Sequence, residues 1–116
     1  MNGGIVIVTR GDEGAVVFDG VNRVEHAGFK VEVVDPVGAG DAFVAGFLGG
    51  VLEHHTLKEF VKLPDSSRRD VLQRSLEIAN ACGALTCTRR GDTAAMPTID
   101  EVVRFIASQG ANVASL

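Results

Sequence analysis

The sequence predicts an α/β fold, with a block of strands between Ile5 and Val34 and then helices packed on the sheet they form. Three observations carry this expectation. Short β-branched apolar runs, broken by glycine, dominate the first third of the chain. From Ala39 onward the apolar residues recur at helical spacing. Between the two lies one junction, Val33-Val34-Asp35-Pro36-Val37-Gly38-Ala39-Gly40-Asp41-Ala42-Phe43, where an apolar segment stops at a proline and glycines before a helix begins.

Each element follows from its local chemistry. Ile5 to Thr9 is β-branched throughout and reads as a strand buried on both faces. Arg10 to Gly14 is a turn, and Ala15 to Phe18 a second strand. Asp19-Gly20 is a hairpin signal leading to a more polar edge strand, Asn22 to His26. Lys30 to Val34 reads as a fourth strand, ended by Pro36, which biases Asp35 toward extended backbone. The helix from Ala39 should reach His54 or His55. Its small-residue face, Ala42, Gly46 and Gly49 or Gly50, suggests close approach to another backbone or to a ligand, since each glycine costs about 1 kcal/mol inside a helix. Leu57 to Leu63 reads as a short amphipathic helix. A long helix from Arg68 to about Thr86 follows, capped by Asp65 or Ser67, with Arg68-Arg69 at a solvated start. Ala79, Cys82, Gly83 and Thr86 give it a second small-residue face. Arg89 to Asp92 is a loop. Thr98-Ile99-Asp100-Glu101 is a capping box opening a last helix from Ile99 to about Ser108.

Composition narrows the function classes. At 116 residues the chain is at most one domain. A hydrophobic share of 46% with 22% charged residues fits a folded protein. A net charge of -4 and the absence of Trp and Tyr argue against a nucleic-acid partner. No apolar run approaches the ~20 residues that span a membrane, and no signal pattern is present, so the expected location is cytoplasmic. Cys82 and Cys87 are five residues apart, about 140° on a helix, and read as free thiols. His26, His54 and His55 match no ligand spacing and read as solvated side chains. The abrupt start, Met1-Asn2-Gly3-Gly4 before an apolar strand, suggests a piece of a longer protein.

The junction carries the chemistry. Gly38-Ala39-Gly40-Asp41 can be a plain turn with Asp41 as a helix cap. It can also be an anion hole with a built-in base. There the N–H groups of Ala39, Gly40 and Asp41 face a transferring phosphoryl group, and the Asp41 carboxylate accepts the proton of an attacking hydroxyl. A dinucleotide fingerprint fails because Phe43 stands where its third glycine belongs, and no G-x-x-x-x-G-K-[ST] exists.

At these residues the chain resembles the ribokinase-like (PfkB) carbohydrate kinases. Their C-terminal signature, D-[TP]-x-G-A-G-D-x-F, is matched from Asp35 to Phe43. Asp35-Pro36-Val37 before Gly38 looks most like the 2-keto-3-deoxygluconate kinases. The run Ala79-Asn80-Ala81-Cys82-Gly83-Ala84-Leu85, followed by Arg90-Gly91-Asp92, is similar to the same subgroup. The resemblance spans Ile5 to about Ile106. It implies that residues 1–116 are the C-terminal, nucleotide-binding part of a ribokinase-like, Rossmann-type fold. Full members run to about 300 residues, so the sugar-binding strands and lid have no counterpart here.

The resemblance also implies roles. Asp41 matches the catalytic base, and Gly38, Ala39 and Gly40 match the anion hole for the γ-phosphate. Thr9, Gly11 and Gly14 match the turn along the nucleotide. Asn80 and Gly83 fall where the adenine pocket is lined. Asp35, Val37, Thr86, Arg89 and Gly91 fall near a loop pair that holds a monovalent cation, K+, largely through backbone carbonyls. Asp12 and Glu13 stand near a possible Mg2+ position, although a plain turn explains them. The implied activity is phosphoryl transfer from ATP, with Mg2+, to a sugar or sugar-acid hydroxyl, the complete enzyme being needed for turnover. The alternative is a non-catalytic nucleotide-binding or self-associating piece, in which unpaired strand edges drive homo-oligomers. Glu53 to Asp70 is longer and more polar than the family's usual connection and has no functional reading.

Overall fold

The computed structural model describes residues 4–89 and 96–114, without the side chains of Asp12 and 110–114. Three strands form one antiparallel sheet in the order β1 (Val6–Thr9), β2 (Ala15–Phe18), β3 (Arg23–His26). A single 3-10 turn, Gly11–Glu13, joins the first two. Val8 pairs with Val16, and Val17 with Val24. The register puts Ala15, Val17 and Val24 into the core and leaves Arg23 and Glu25 exposed.

Four helices follow: α1 (Ala39–Val51), α2 (Leu57–Val61), α3 (Asp65–Cys87) and α4 (Ile99–Ala114). α1 and α3 pack against each other over their length and cover the inner face of the sheet. Phe43, Phe47, Val51, Phe60, Leu72, Leu76 and Ala79 fill that layer. α4 lies across the far side of the helix pair, burying Val102 against Ala42, Ala81 and Cys82. Glycine permits the close α1–α3 contact. A Cβ on Gly50 would stand 2.7 Å from Ser75 Cα, and one on Gly46 2.8 Å from Cys82 Sγ. The small-residue face of α1 therefore meets a backbone rather than a ligand.

Two strand expectations are corrected. β1 is not buried on both faces: it pairs only with β2, and Val6 and Val8 are 56% and 45% exposed. Lys30 to Val34 forms no strand. Its end is held by the Val34 and Asp35 N–H groups, both donated to the Cys87 carbonyl at 2.7 and 3.0 Å. α1 ends at Val51, short of His54, and α4 runs past Ser108 to Ala114.

The start of α3 is also corrected. Pro64 occupies the cap, so the helix begins at Asp65, three residues before Arg68. Arg68 is buried rather than solvated. Its Nε donates to Asp19 Oδ2 at 2.6 Å, Nη1 to the Leu63 carbonyl at 2.9 Å and Nη2 to Asp65 Oδ1 at 2.7 Å. Asp19 in turn accepts the N–H groups of Val21 and Asn22 and the Asn22 amide, closing the β2–β3 turn. Burial pushes the Asp19 carboxyl up, but Arg68 and these N–H donors overcome it and hold the group well below the usual carboxylate range. The two capping boxes, at Thr56 with Glu59 and at Thr98 with Glu101, are both formed. Among the described residues, no helix is long and apolar enough to cross a membrane.

Candidate nucleotide site

The sheet end of β1, the junction and the C-terminal half of α3 enclose a cavity of about 490 Å³. On one wall are Thr9, Gly11 and Gly14, from the turn after β1. Gly14 has φ +90, and a Cβ there would sit 1.8 Å from the His26 carbonyl oxygen, so only glycine lets this turn lie against the end of β3. Opposite stand Asn80 and Gly83 of α3, and Ala39 and Gly40 close one end. Seven of the residues expected from sequence therefore share one cavity.

The cavity end at α1 is built to receive an anion. Gly38 is left-handed at φ +83 and precedes the first helical residue. The Ala39 N–H is engaged by the Pro36 carbonyl at 3.2 Å. The N–H groups of Gly38, Gly40 and Asp41 have no hydrogen-bond partner among the described residues. These are orphan donors at the positive end of a 13-residue helix. Nothing lies within 4 Å of a Cβ built on Gly40, so the approach is open. Of the N–H groups expected to face an anion, those of Gly40 and Asp41 are without a partner among the described residues, that of Ala39 is engaged, and that of Gly38 is without a partner as well. Asp41 is exposed in the first turn of α1 and does not line the cavity.

The residues expected near a monovalent cation are only partly brought together. Asp35 and the end of α3 meet through the Cys87 carbonyl, and a Cβ on Gly38 would touch the Thr86 methyl at 3.7 Å. The charge of Asp35 and burial both raise the Cys87 thiol, as expected for adjacent groups. Thr86 Oγ1, however, donates to the Cys82 carbonyl, Asp35 Oδ1 accepts the Val37 N–H, and Arg89 pairs with Glu101. Val37 is exposed, and Gly91 lies outside the described residues, as does Arg90-Gly91-Asp92 as a whole. Backbone carbonyls of this loop pair, rather than these side chains, remain as donors for a cation. The Asp12 side chain lies outside the described residues, and among those described no group of three acidic, His or Cys side chains could hold a metal ion.

Sequence reasoning missed part of the wall. Gly28, Phe29, Val33, Pro36 and Cys87 also line the cavity. Phe29 stacks edge-on to Phe105 at 5.0 Å and lies 5.1 Å from the His26 ring. A lone aromatic among glycines, Ala27-Gly28-Phe29-Lys30, was the available signal. His26 is not solvated. It is half-buried, and its Nδ1 accepts the Gly28 N–H at 3.0 Å and lies 3.0 Å from Asn80 Nδ2. Both cysteines are free thiols, as expected.

Residues 2–99 match the pattern of the pfkB family carbohydrate kinases. The chain is 41% identical over 105 residues to the ATP-dependent ribose-1-phosphate kinase of Halopiger xanaduensis, covering 90% of this chain and 30% of that protein. It is 37% identical to fructokinase-1 of Zea mays, covering 88% of this chain and 29% of that one. Among solved structures, the fructokinase of Vibrio cholerae O395, in a fructose-, ADP- and calcium-bound form, superposes with a TM-score of 0.67 at 31% identity, over 87% of this chain and 30% of that chain. A double-mutant form of that fructokinase was solved with fructose, ADP and a potassium ion. The chain thus spans less than a third of the length of these relatives. They are ribose-1-phosphate kinase and fructokinases, not specifically 2-keto-3-deoxygluconate kinases.

Proposed function

The chain belongs to the pfkB family of carbohydrate kinases, and from that premise we propose that residues 1–116 are the nucleotide-binding part of an ATP-dependent sugar kinase. The observation that supports this best is the cavity itself. It runs from Gly40, whose N–H has no partner among the described residues at the N-terminus of α1, along an apolar wall long enough for a base. Along α3, the seven residue steps from Asn80 to Cys87 cover about 10 Å. Gly83, between them, lies 3.5 Å (from a built Cβ) from the Ala39 carbonyl. In this reading the phosphates lie by the N-terminus of α1, where Ala39 and Gly40 line the cavity, and the base lies by Gly28, Phe29 and Asn80.

When bound, ATP supplies the γ-phosphoryl group, and Mg2+ neutralises charge on its oxygens. The chain's own residues position and stabilise. The N–H groups of Gly38, Gly40 and Asp41 hold charge as it develops on the phosphoryl oxygens. Asp41 takes the proton of the attacking sugar hydroxyl. Its exposed position fits a base that serves an acceptor outside the nucleotide cavity. A K+ ion would use carbonyls of the Asp35-to-Gly38 loop and the end of α3. The acceptor is a sugar or sugar acid. Its class is tested with fructose, ribose-1-phosphate and 2-keto-3-deoxygluconate on the full-length kinase, where Asp41→Asn should lower kcat by several orders of magnitude with little change in ATP affinity. Near-normal turnover in that variant would remove the role. For the 116-residue chain, calorimetric titration with ATP and Mg2+ is the direct test.

One observation favours a second reading for the isolated chain. The outer edge of β1 is unpaired and carries exposed Val6 and Val8. Self-association through that edge would appear as a concentration-dependent mass in light scattering. A concentration-independent monomer would exclude it.

A further inference from the structure

We propose that His26 is a positioning residue that sets the base preference of the nucleotide cavity, by holding the Asn80 carboxamide so that it accepts a hydrogen bond from an amino-bearing base. The inference rests on the nucleotide-site reading and adds to it the chemical class of base.

The geometry is built from three donors and acceptors whose roles can be fixed. The Gly28 backbone N–H points at His26 Nδ1 at 3.0 Å, and a backbone amide can only donate. Nδ1 is therefore the unprotonated nitrogen, and the ring carries its proton on Nε2. Asn80 stands 3.0 Å from the same Nδ1. Facing an acceptor, it must present its NH₂ group, so the amide cannot be turned the other way round. What Asn80 has left is Oδ1 and its second N–H. No further partner of Asn80 exists among the described residues. Asn80 lines the cavity, about one helical turn before Gly83. A fixed Oδ1 there accepts from the exocyclic amino group of adenine and meets the exocyclic oxygen of guanine with acceptor against acceptor.

Protonation of His26 reverses the arrangement. With a proton on Nδ1 the ring becomes a donor, and Asn80 must turn Oδ1 toward it. The NH₂ group then faces the base, and the preference for an amino base is lost. Burial pushes the His26 imidazole below its ordinary range, so the neutral form prevails near neutral pH. The charged group that acts on it is Glu77 of α3, which works in the opposite direction. Its β2 partner Ala15 and its ring neighbour Phe29 bring no charge, nor does Phe105, which packs on Phe29. Arg23 and Glu25 on its own strand pair with each other, and Glu25 also with Arg10.

The test is the ratio of ATP to GTP affinity of the 116-residue chain, measured by calorimetry at about pH 8 and about pH 5. The wild type should prefer ATP by roughly tenfold at the higher pH, one hydrogen bond's worth of discrimination, and the preference should narrow at the lower pH to the extent that the His26 ring takes up its proton. Titration of the triphosphate affects both nucleotides alike and cancels in the ratio. His26→Leu should bind both nucleotides with a ratio near one at either pH. His26→Asn, whose Oδ1 stands near the place of Nδ1 but does not titrate, should keep the preference at both. Because the ratio is internal to each protein, a partly unfolded variant lowers both affinities without moving it. If His26→Leu does not fold, His26→Ala, which also lacks the ring acceptor, takes its place. ATP binding with a ratio unmoved by loss of the His26 acceptor would overturn the proposal while leaving the nucleotide site in place. Binding of neither nucleotide by the wild type would overturn the site reading itself, and this inference with it.

Discussion

Asp19→Ala tests how the hairpin is fastened to α3. The Asp19 carboxylate is 1% exposed and accepts four hydrogen bonds: two from backbone N–H groups at 2.9 and 2.6 Å, one from Asn22 at 3.1 Å and one from Arg68 at 2.6 Å. Removing it leaves the Arg68 guanidinium buried, with only the Leu63 carbonyl and the largely exposed Asp65 as partners. Breaking a buried pair costs about 3–5 kcal/mol. The remaining partners set this case near 3 kcal/mol, and the two freed turn N–H groups add about 1 kcal/mol together. Arg68→Met should cost less, about 2 kcal/mol, because Asp19 keeps three N–H donors. The double variant should lose about 4 kcal/mol, well short of the sum of the singles. Urea denaturation followed by circular dichroism measures all three. The pH dependence has a definite sign. The folded-state value of Asp19 is depressed. Its contribution is therefore complete above the unfolded carboxyl value of about 3.9 and is lost as pH falls through the folded one. The stability gap between wild type and Arg68→Met should shrink steadily below about pH 4. An Arg68→Met loss equal to that of Asp19→Ala, strict additivity, or a gap that is constant in acid would each refute the account.

Other outcomes follow from single contacts. Gly14→Ala places a Cβ 1.8 Å from the His26 carbonyl at φ +90, so it should cost about 3 kcal/mol or more in urea melts and abolish nucleotide titration. Gly49 and Gly50 are adjacent in α1 but should respond in opposite directions. Gly49→Ala meets nothing within 4 Å and should raise stability by up to about 1 kcal/mol. Gly50→Ala, 2.7 Å from Ser75 Cα, should lower it by about 1–3 kcal/mol. Thr98→Ala removes the reciprocal bonds with Glu101 that open α4, and should cost about 1 kcal/mol by thermal melting.

Much of the site could be read from residues alone because its chemistry is local. The positive φ of Gly38, the open approach at Gly40 and the helix that starts at Ala39 all follow from a dozen contiguous residues. The small-residue face of α1 was equally legible, because several glycines in one helix demand a close neighbour. Its neighbour was not, since a glycine stripe is the same for a backbone as for a ligand. Arg68 and His26 were misread for a different reason. Each is a polar residue whose partner lies far along the chain, Asp19 for one and Asn80 for the other. A charge beside another arginine, or a histidine ending a polar strand, carries no local sign of that partner. Only the fold, by laying α3 across the end of the hairpin, reveals that both are buried and bonded.

The burial expected of the strand at Ile5 to Thr9 and the strand expected at Lys30 to Val34 failed for one cause. A β-branched run reads as buried because such side chains repay cover on both faces and along both edges. In this chain β1 has a neighbour on one edge only, and Val6 and Val8 remain exposed. The second run has no strand beside it at all, and Val33 and Val34 are more than half exposed. Its C-terminal end is held by the Val34 and Asp35 N–H groups on the Cys87 carbonyl. Yet this weakly covered segment leads directly into Asp35 and the left-handed Gly38, and three of its residues, Lys30, Val31 and Val33, line the cavity. Whatever covers β1 or the 30–34 segment, a second copy or another polypeptide, would therefore act on the anion end of the site through a single backbone connection. Nucleotide affinity should rise with association if that segment is the soft part of the site. A nucleotide affinity independent of protein concentration, in a chain that associates, would show instead that α1 and α3 alone hold the site in shape.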